Sequence, residues 1–107
     1  MNSEWFRETI CEELDGACSY VKKGIELRAM QSTWADKLVK MSAEELEHAK
    51  HFYKMFEEYC EIQKKEYGGK LPYYIAEDWE AVASCFDRKV SHILQLHGEY
   101  KPKTGVK

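Results

Sequence analysis

Apolar residues recur along this chain at intervals of three and four, which is the period of an α-helix. No stretch alternates apolar and polar residues as a half-buried strand would. Two breaks divide the pattern: a weak one at 30–33 and a strong one at 67–72, where two glycines precede a proline. The pattern therefore predicts an all-α fold with three helices, at about Ser3 to Arg28, Thr33 to Lys65 and Glu77 to Gly98.

The short first break predicts that the first two helices pack side by side and antiparallel, with Ser32 or Thr33 capping the second. One stripe along each helix is expected to face the core. In the first helix this stripe is Phe6, Ile10, Glu13, Ala17, Tyr20, Gly24 and Leu27. In the second it is Trp34, Leu38, Met41, Glu45, His48, Phe52, Met55, Tyr59 and Ile62. In the third it is Trp79, Ala83, Phe86, Val90, Ile93, His97 and Tyr100.

Three polar residues interrupt the stripes of the first two helices. Glu45 and His48 are neighbours in the second stripe, and Glu13 interrupts the first. A carboxylate in a helical core is costly unless it is paired, protonated or bound to a metal. Ala29 lies midway between Glu13 and Glu45 in the sequence, so antiparallel pairing brings the three side chains to one level. The pattern predicts a metal site formed by Glu13, Glu45 and His48.

Each of these residues also has an interpretation without metal. Ser42 and Glu45 match a capping box at a helix start, although the apolar period continues through them without a change of phase. His48 fits as a neutral histidine bonded to a neighbouring glutamate, and Glu13 as a solvated carboxylate beside its stripe. His92 falls near the same level on the third helix, but its position off the stripe favours a flanking role.

Composition narrows the functional classes. The chain has 107 residues, a formal net charge of −3 and four cysteines, none of them in a Cys-x-x-Cys pair. The acidic balance argues against nucleic-acid binding, no apolar run is long enough to span a membrane, and the acidic N-terminal segment does not match a signal peptide. We expect a cytoplasmic protein with reduced cysteines, consisting of a single helical domain over 1–100 and a flexible basic tail over 101–107.

Glu13, with Tyr20 seven residues further on, and the segment AEELEHAKHF at 43–52 resemble the first two helices of ferritin-like di-iron carboxylate proteins, particularly rubrerythrin and bacterioferritin. That family supplies a Glu from one helix and Glu-x-x-His from the next, and repeats the set on two further helices. The resemblance covers residues 1–65. It implies that Glu13, Glu45 and His48 are iron ligands.

Half of the family's ligand set is missing, because no other histidine follows a glutamate by three residues and the chain is too short for a fourth long helix. The resemblance therefore implies a homodimer or higher homo-oligomer, in which dimerisation completes a four-helix-type bundle from the ferritin-like hairpins. Such an assembly shares a di-iron site and acts as a ferroxidase, as in encapsulated ferritins. A mononuclear site for iron, manganese or zinc is the second interpretation. The third is a non-enzymatic helical oligomerisation or interaction protein, in which the Glu/His cluster is vestigial or sets helix register.

Overall fold

A computed structural model describes residues 2–100 of the chain. This part consists of three α-helices: α1 at Ser3–Leu27, α2 at Ser32–Glu66 and α3 at Tyr73–Glu99. No β-strand occurs within 2–100, which confirms the predicted all-α fold. The tail predicted at 101–107 lies outside the described residues, as does residue 1.

The helix ends follow local chemistry. The Asn2 side chain caps α1 by accepting a hydrogen bond of 2.9 Å from the backbone N–H of the third helical residue. The prediction of a Ser or Thr cap on α2 was wrong, because Gln31 occupies the N-cap without a side-chain bond and Ser32 is already helical. The α2–α3 connection turns at Gly68 and Gly69, whose φ angles of 67° and 97° favour glycine.

The third helix begins at Tyr73, directly after Pro72 and before the predicted start at Glu77. Proline ahead of a helix is favourable because its φ is already helical and its missing N–H has no intrahelical partner to lose. Ile75, in the first turn of α3, is fully buried in the core. Packing of this side chain therefore stabilises a turn that the apolar period alone did not place in the helix.

Helices α1 and α2 form an antiparallel hairpin, and α3 runs parallel to α1. Near the start of α3, Asp78 accepts a hydrogen bond from the Ser3 hydroxyl (2.6 Å) and pairs with Arg7 (3.0 Å). Just beyond the end of α3, the Tyr100 hydroxyl donates to Asp36 of α2. The backbone of α1 lies close to both other helices, whereas the backbones of α2 and α3 lie farther apart and these two helices meet through long side chains. The molecule is elongated, with extents of 61 × 21 × 17 Å.

The buried stripe of α2 lies one residue further along the chain than predicted. Its buried residues are Ala35, Ser42, Leu46, Ala49, Phe56 and Cys60. The predicted position Trp34 is 61% exposed, and Met55 is 41% exposed. The reason is α3: its residues Trp79 and Phe86 stack on Tyr53 of α2. This second packing partner rotates the buried face by one residue, which is about 100° around the helix.

The other two helices follow the prediction more closely. In α1 the predicted core residues Phe6, Ile10, Ala17 and Gly24 are buried, and Leu14 and Val21 join them. In α3 the predicted core residues Phe86, Ile93 and Tyr100 are buried. Glu13 and Tyr20, which the α1 stripe also contained, are only half-buried at its edge.

Candidate metal centre

The structure brings Glu13 of α1 together with Glu45 and His48 of α2. One ligand atom from each side chain lies within 4.8 Å of the other two. His48 Nδ1 is 3.4 Å from a carboxylate oxygen of Glu13 and 4.0 Å from one of Glu45. Residues three apart on a helix are surface neighbours, so α2 presents its two side chains side by side. The three residues that antiparallel pairing predicts at one level therefore do form a cluster, and this cluster could hold a metal ion.

The cluster lies at the edge of the α1–α2 interface, and the expectation that its members face the core was wrong. The side chain of Glu13 is 21% exposed, that of Glu45 30% and that of His48 53%. Leu46 and Ala49, the residues that follow Glu45 and His48, occupy the core instead. Because of this one-residue shift, the carboxylates are sheltered on one side and the imidazole opens to solvent.

A glycine on α1 makes room for the Glu45 side chain. A Cβ atom at Gly16 would lie 3.3 Å from Glu45 Oε1, which is tighter than an ordinary van der Waals contact. Since Gly16 is three residues after Glu13, the carboxylate of α2 lies against the α1 backbone beside the carboxylate of α1. The small residue at this position therefore sets how close the two acidic groups come.

Ser42 fixes the register of the two helices one turn before Glu45. Its hydroxyl donates a 2.5 Å hydrogen bond to the backbone carbonyl of Ala17 in α1. The hydroxyl oxygen also lies 2.9 Å from Nε2 of His97, which must donate because the only hydroxyl proton points to Ala17. Ser42 is thus buried in the middle of α2, and the capping-box interpretation does not apply.

Negative charge in the cluster is under-compensated. Glu13 Oε1 is buried and makes no hydrogen bond within the described part of the chain. The pKa of Glu45 is raised above its usual range, chiefly because its protonated carboxyl can bond to the Glu13 side chain. Burial and the Glu13 charge raise the pKa of Glu45 further, and His48 opposes them. A proton or a cation between the carboxylates relieves this repulsion.

The donor set suits a divalent transition metal. Carboxylate oxygens and an imidazole nitrogen together bind iron, manganese and zinc. Three side chains leave coordination positions open for water, a substrate or groups from another chain. The third helix supplies no ligand within residues 2–100: His92 lines a different cleft, and His97 is bonded to Ser42.

Sequence reasoning missed the contributions of Gly16 and Ser42. Both are small residues on the side of a helix that faces its antiparallel partner, and both lie within one turn of a cluster residue on their own helix. Small residues at such positions permit close approach of two backbones, and this feature of the sequence could have indicated the roles of Gly16 and Ser42.

Exposed apolar residues flank the cluster on α2. Trp34, Met41, Met55 and Ile62, here termed the outer stripe, are between 40% and 61% exposed and share a seven-residue spacing with His48. Phe52, on the same flank, contacts Trp5 of α1, whereas the next residue, Tyr53, contacts α3. The outer stripe therefore lies on the side of the hairpin away from α3, with the cluster at its centre.

Across residues 2–100, no helix combines the length and the apolar character that crossing a membrane requires. Comparisons with protein-family models, with curated proteins and with solved structures found no match to this chain.

Proposed function

We propose that this chain is a ferritin-like iron-binding protein in which two copies share a dinuclear site and oxidise Fe(II). The observation that carries the proposal is the convergence of Glu13, Glu45 and His48 from two helices, in the arrangement that the resemblance implies. Glu13 Oε1 is buried and makes no hydrogen bond within residues 2–100, although His48 Nδ1 lies 3.4 Å away. This supports a cation in this position, because a buried carboxylate oxygen without a hydrogen bond is otherwise unfavourable.

Iron is the substrate in this proposal. Each of the two bound Fe(II) ions loses one electron to become Fe(III), and O₂ accepts the two electrons and two protons from water to form H₂O₂. Glu13 and Glu45 contribute negative charge, which favours the more highly charged ferric product. His48 contributes Nδ1, the ring nitrogen that faces both carboxylates. The half-exposed imidazole leaves a route by which iron and O₂ enter from solvent.

Pairing of two copies supplies the missing half of the ligand set. His48 is the midpoint of the outer stripe, so an antiparallel two-fold pairing centred there places Trp34 opposite the partner's Ile62 and Met41 opposite the partner's Met55. The same operation brings both Glu/His clusters to the axis. Four carboxylates then balance the charge of two divalent ions. The elongated shape and the exposed apolar residues support partner binding on this face.

Iron uptake tests the proposal directly. Anaerobic addition of Fe(II), followed by admission of O₂, should give saturable binding of about one iron per chain and consumption of O₂. Glu45→Ala and His48→Ala should abolish both. Glu44→Ala is the matched control, because this exposed neighbour lies outside the cluster and should leave uptake unchanged. Absence of saturable iron uptake by the unmodified protein would refute the proposal.

The outer stripe favours a second candidate function, that of a non-enzymatic oligomerisation or interaction protein. In this case the Glu/His cluster sets helix register, and Glu13→Leu combined with Glu45→Leu should raise stability while metals change it little. If the cluster is a metal site instead, added metal should matter: Fe(II), Mn(II) or Zn(II) at one hundred times Kd should stabilise the fold by about 2.7 kcal/mol. Thermal melts with and without each metal separate the two functions.

A further inference from the structure

A cleft of about 400 Å³ lies between α1 and α3, on the opposite flank of α1 from the candidate metal centre. Glu13 faces α2, whereas the next residue, Leu14, lines the cleft. Three permanently charged side chains also line it: Lys22 from α1, and Arg88 and Lys89 from α3. We propose that this cleft binds a small organic phosphate, a phosphate monoester that carries a compact apolar group.

Charge supports an anionic ligand. The chain carries a formal net charge of −3, yet this cleft gathers three cations around a single carboxylate, Asp15. Among residues 2–100, Lys22, Arg88 and Lys89 take part in no ion pair or side-chain hydrogen bond. Four of the other basic residues within 2–100, Lys23 and Lys64 among them, pair with a carboxylate, and the rest are unpaired as well but do not line this cleft. The cations of the cleft are therefore available to a ligand.

The excess of two positive charges matches a phosphate monoester, which carries about −1.5 to −2 at pH 7. A guanidinium group forms paired hydrogen bonds to phosphate oxygens, and two ammonium groups on opposite walls complement it as point charges. His92, on the α3 wall, adds a further donor. A carboxylate ligand would use fewer of these groups.

The walls of the cleft support an apolar portion of the ligand. Leu14 and Ile93 close the back of the cleft as part of the core, at 2% and 1% exposed, and offer a ligand little surface. The apolar surface that a ligand can reach comes from the half-buried Cys18 and from the aliphatic stems of Lys22 and Lys89. A cleft of this volume falls within the range of small-molecule sites, in which an apolar surface carries a few polar groups that orient the ligand. An amphipathic anion would use both the cationic groups and these apolar walls.

The test uses phenyl phosphate as the ligand. Inorganic phosphate and phenol, titrated separately, measure how much the phosphate group and the aromatic ring each contribute to binding. In titrations of the ¹⁵N-labelled protein followed by NMR, phenyl phosphate should bind saturably and shift amides around the cleft in α1 and α3. Each half alone should bind at least about tenfold more weakly. Equal affinity for phenyl phosphate and inorganic phosphate would overturn the proposed apolar contact, and no saturable shift would overturn the site.

Matched charge variants locate the binding. Arg88→Gln with Lys89→Gln should weaken phenyl phosphate binding at least about tenfold, since two charge-assisted contacts are lost. Lys64→Gln with Lys65→Gln removes the same charge from another adjacent basic pair, on α2, and should have little effect. Equal weakening in both would mean non-specific attraction and would overturn the proposal. Lys22→Gln, on the opposite wall, is the second test, to be used if the α3 variant does not fold.

Discussion

The Glu45 carboxylate lies against the α1 backbone because residue 16 has no side chain. The cluster therefore depends on a glycine that is not a ligand. Similarly, Ser42 holds α1 and α2 in register through Ala17 without facing the cluster itself. At the scale of single residues, the positions of the Glu/His side chains are set by neighbours whose own chemistry does not suggest metal binding.

Gly16→Ala tests this dependence. The added Cβ, 3.3 Å from Glu45 Oε1, should displace the carboxylate by a few tenths of an ångström and weaken Fe(II) or Mn(II) binding by about tenfold or more. Gly98→Ala is the control, because a Cβ there meets nothing within 4 Å and should only favour the helix. Metal titrations of both variants provide the measurement, and equal affinities would argue against a role for Gly16.

His97 should make stability depend on pH. Burial lowers the pKa of His97, so the folded state favours the neutral ring that bonds to Ser42. The unfolded chain then binds more protons as the pH falls below about 6.5, and the free energy of unfolding should decrease from that pH downward. Urea unfolding at pH 7.5, 6.5 and 5.5 measures the slope.

Two histidine variants separate the contribution of His97 to the pH dependence of stability from the contributions of other titrating groups. His97→Gln should flatten the dependence between pH 6.5 and 5.5, because the titrating ring is gone. His51→Gln removes a histidine that is exposed on α2 and should leave the slope as it was. An unchanged slope in His97→Gln would show that other groups carry the pH dependence.

At the scale of elements, α1 and α2 form the most extensively packed pair of helices within residues 2–100. The two helices approach closely near the connection, where a Cβ at Gly24 would lie 2.7 Å from Val39 Cγ2 and 3.1 Å from the Ala35 carbonyl oxygen. No real Cβ tolerates the first of these distances. The hairpin is therefore tightly packed at this crossing, and the Glu/His cluster lies further along the same interface.

Gly24→Ala should destabilise the protein by about 1–3 kcal/mol, although alanine is the better helix former. The cause is the overlap with Val39 and with the α2 backbone. Chemical denaturation measures the loss. Combining the change with Val39→Ala removes the nearest obstructing atom and should recover part of it, whereas no recovery would place the strain elsewhere.

At the scale of the whole molecule, three helices leave one flank of the hairpin uncovered. Helix α3 covers one side of α1 and α2, and the outer stripe and the cluster lie on the other. The proposed two-fold pairing covers this flank with a second copy of the same surface. Function and oligomeric state are therefore linked in this proposal, because the dinuclear site exists only in the pair.

Charge exchange across the proposed axis tests the pairing. Met41→Glu or Met55→Glu alone should shift sedimentation toward the monomer, because each buries a charge at the interface. Met41→Lys combined with Met55→Glu should restore the dimer, since antiparallel pairing places each lysine opposite a glutamate of the other copy. Leu94→Glu, at an exposed position on α3, is the control and should leave sedimentation unchanged. A monomeric parent protein, with and without Fe(II), would contradict the pairing.

Spacing along the chain was sufficient to predict three helices, both connections and the meeting of Glu13, Glu45 and His48. These features depend only on helical period, on turn residues such as Gly68 and Gly69, and on equal distances from one antiparallel turn. The start of α3 was predicted too late, because the burial of Ile75 extends that helix beyond the apolar period and Pro72, the local signal directly before it, was assigned to the turn.

Only the tertiary structure decided which face of α2 is buried. The predicted stripe allowed for α1 alone, whereas α3 also packs on α2 and moves the core from Glu45 and His48 to Leu46 and Ala49. This placed the cluster at an edge and exposed the outer stripe, while the packing of α3 on α1 formed the cationic cleft between those two helices. The physical reason is that burial depends on every neighbour of a helix at once, whereas periodicity describes each helix by itself.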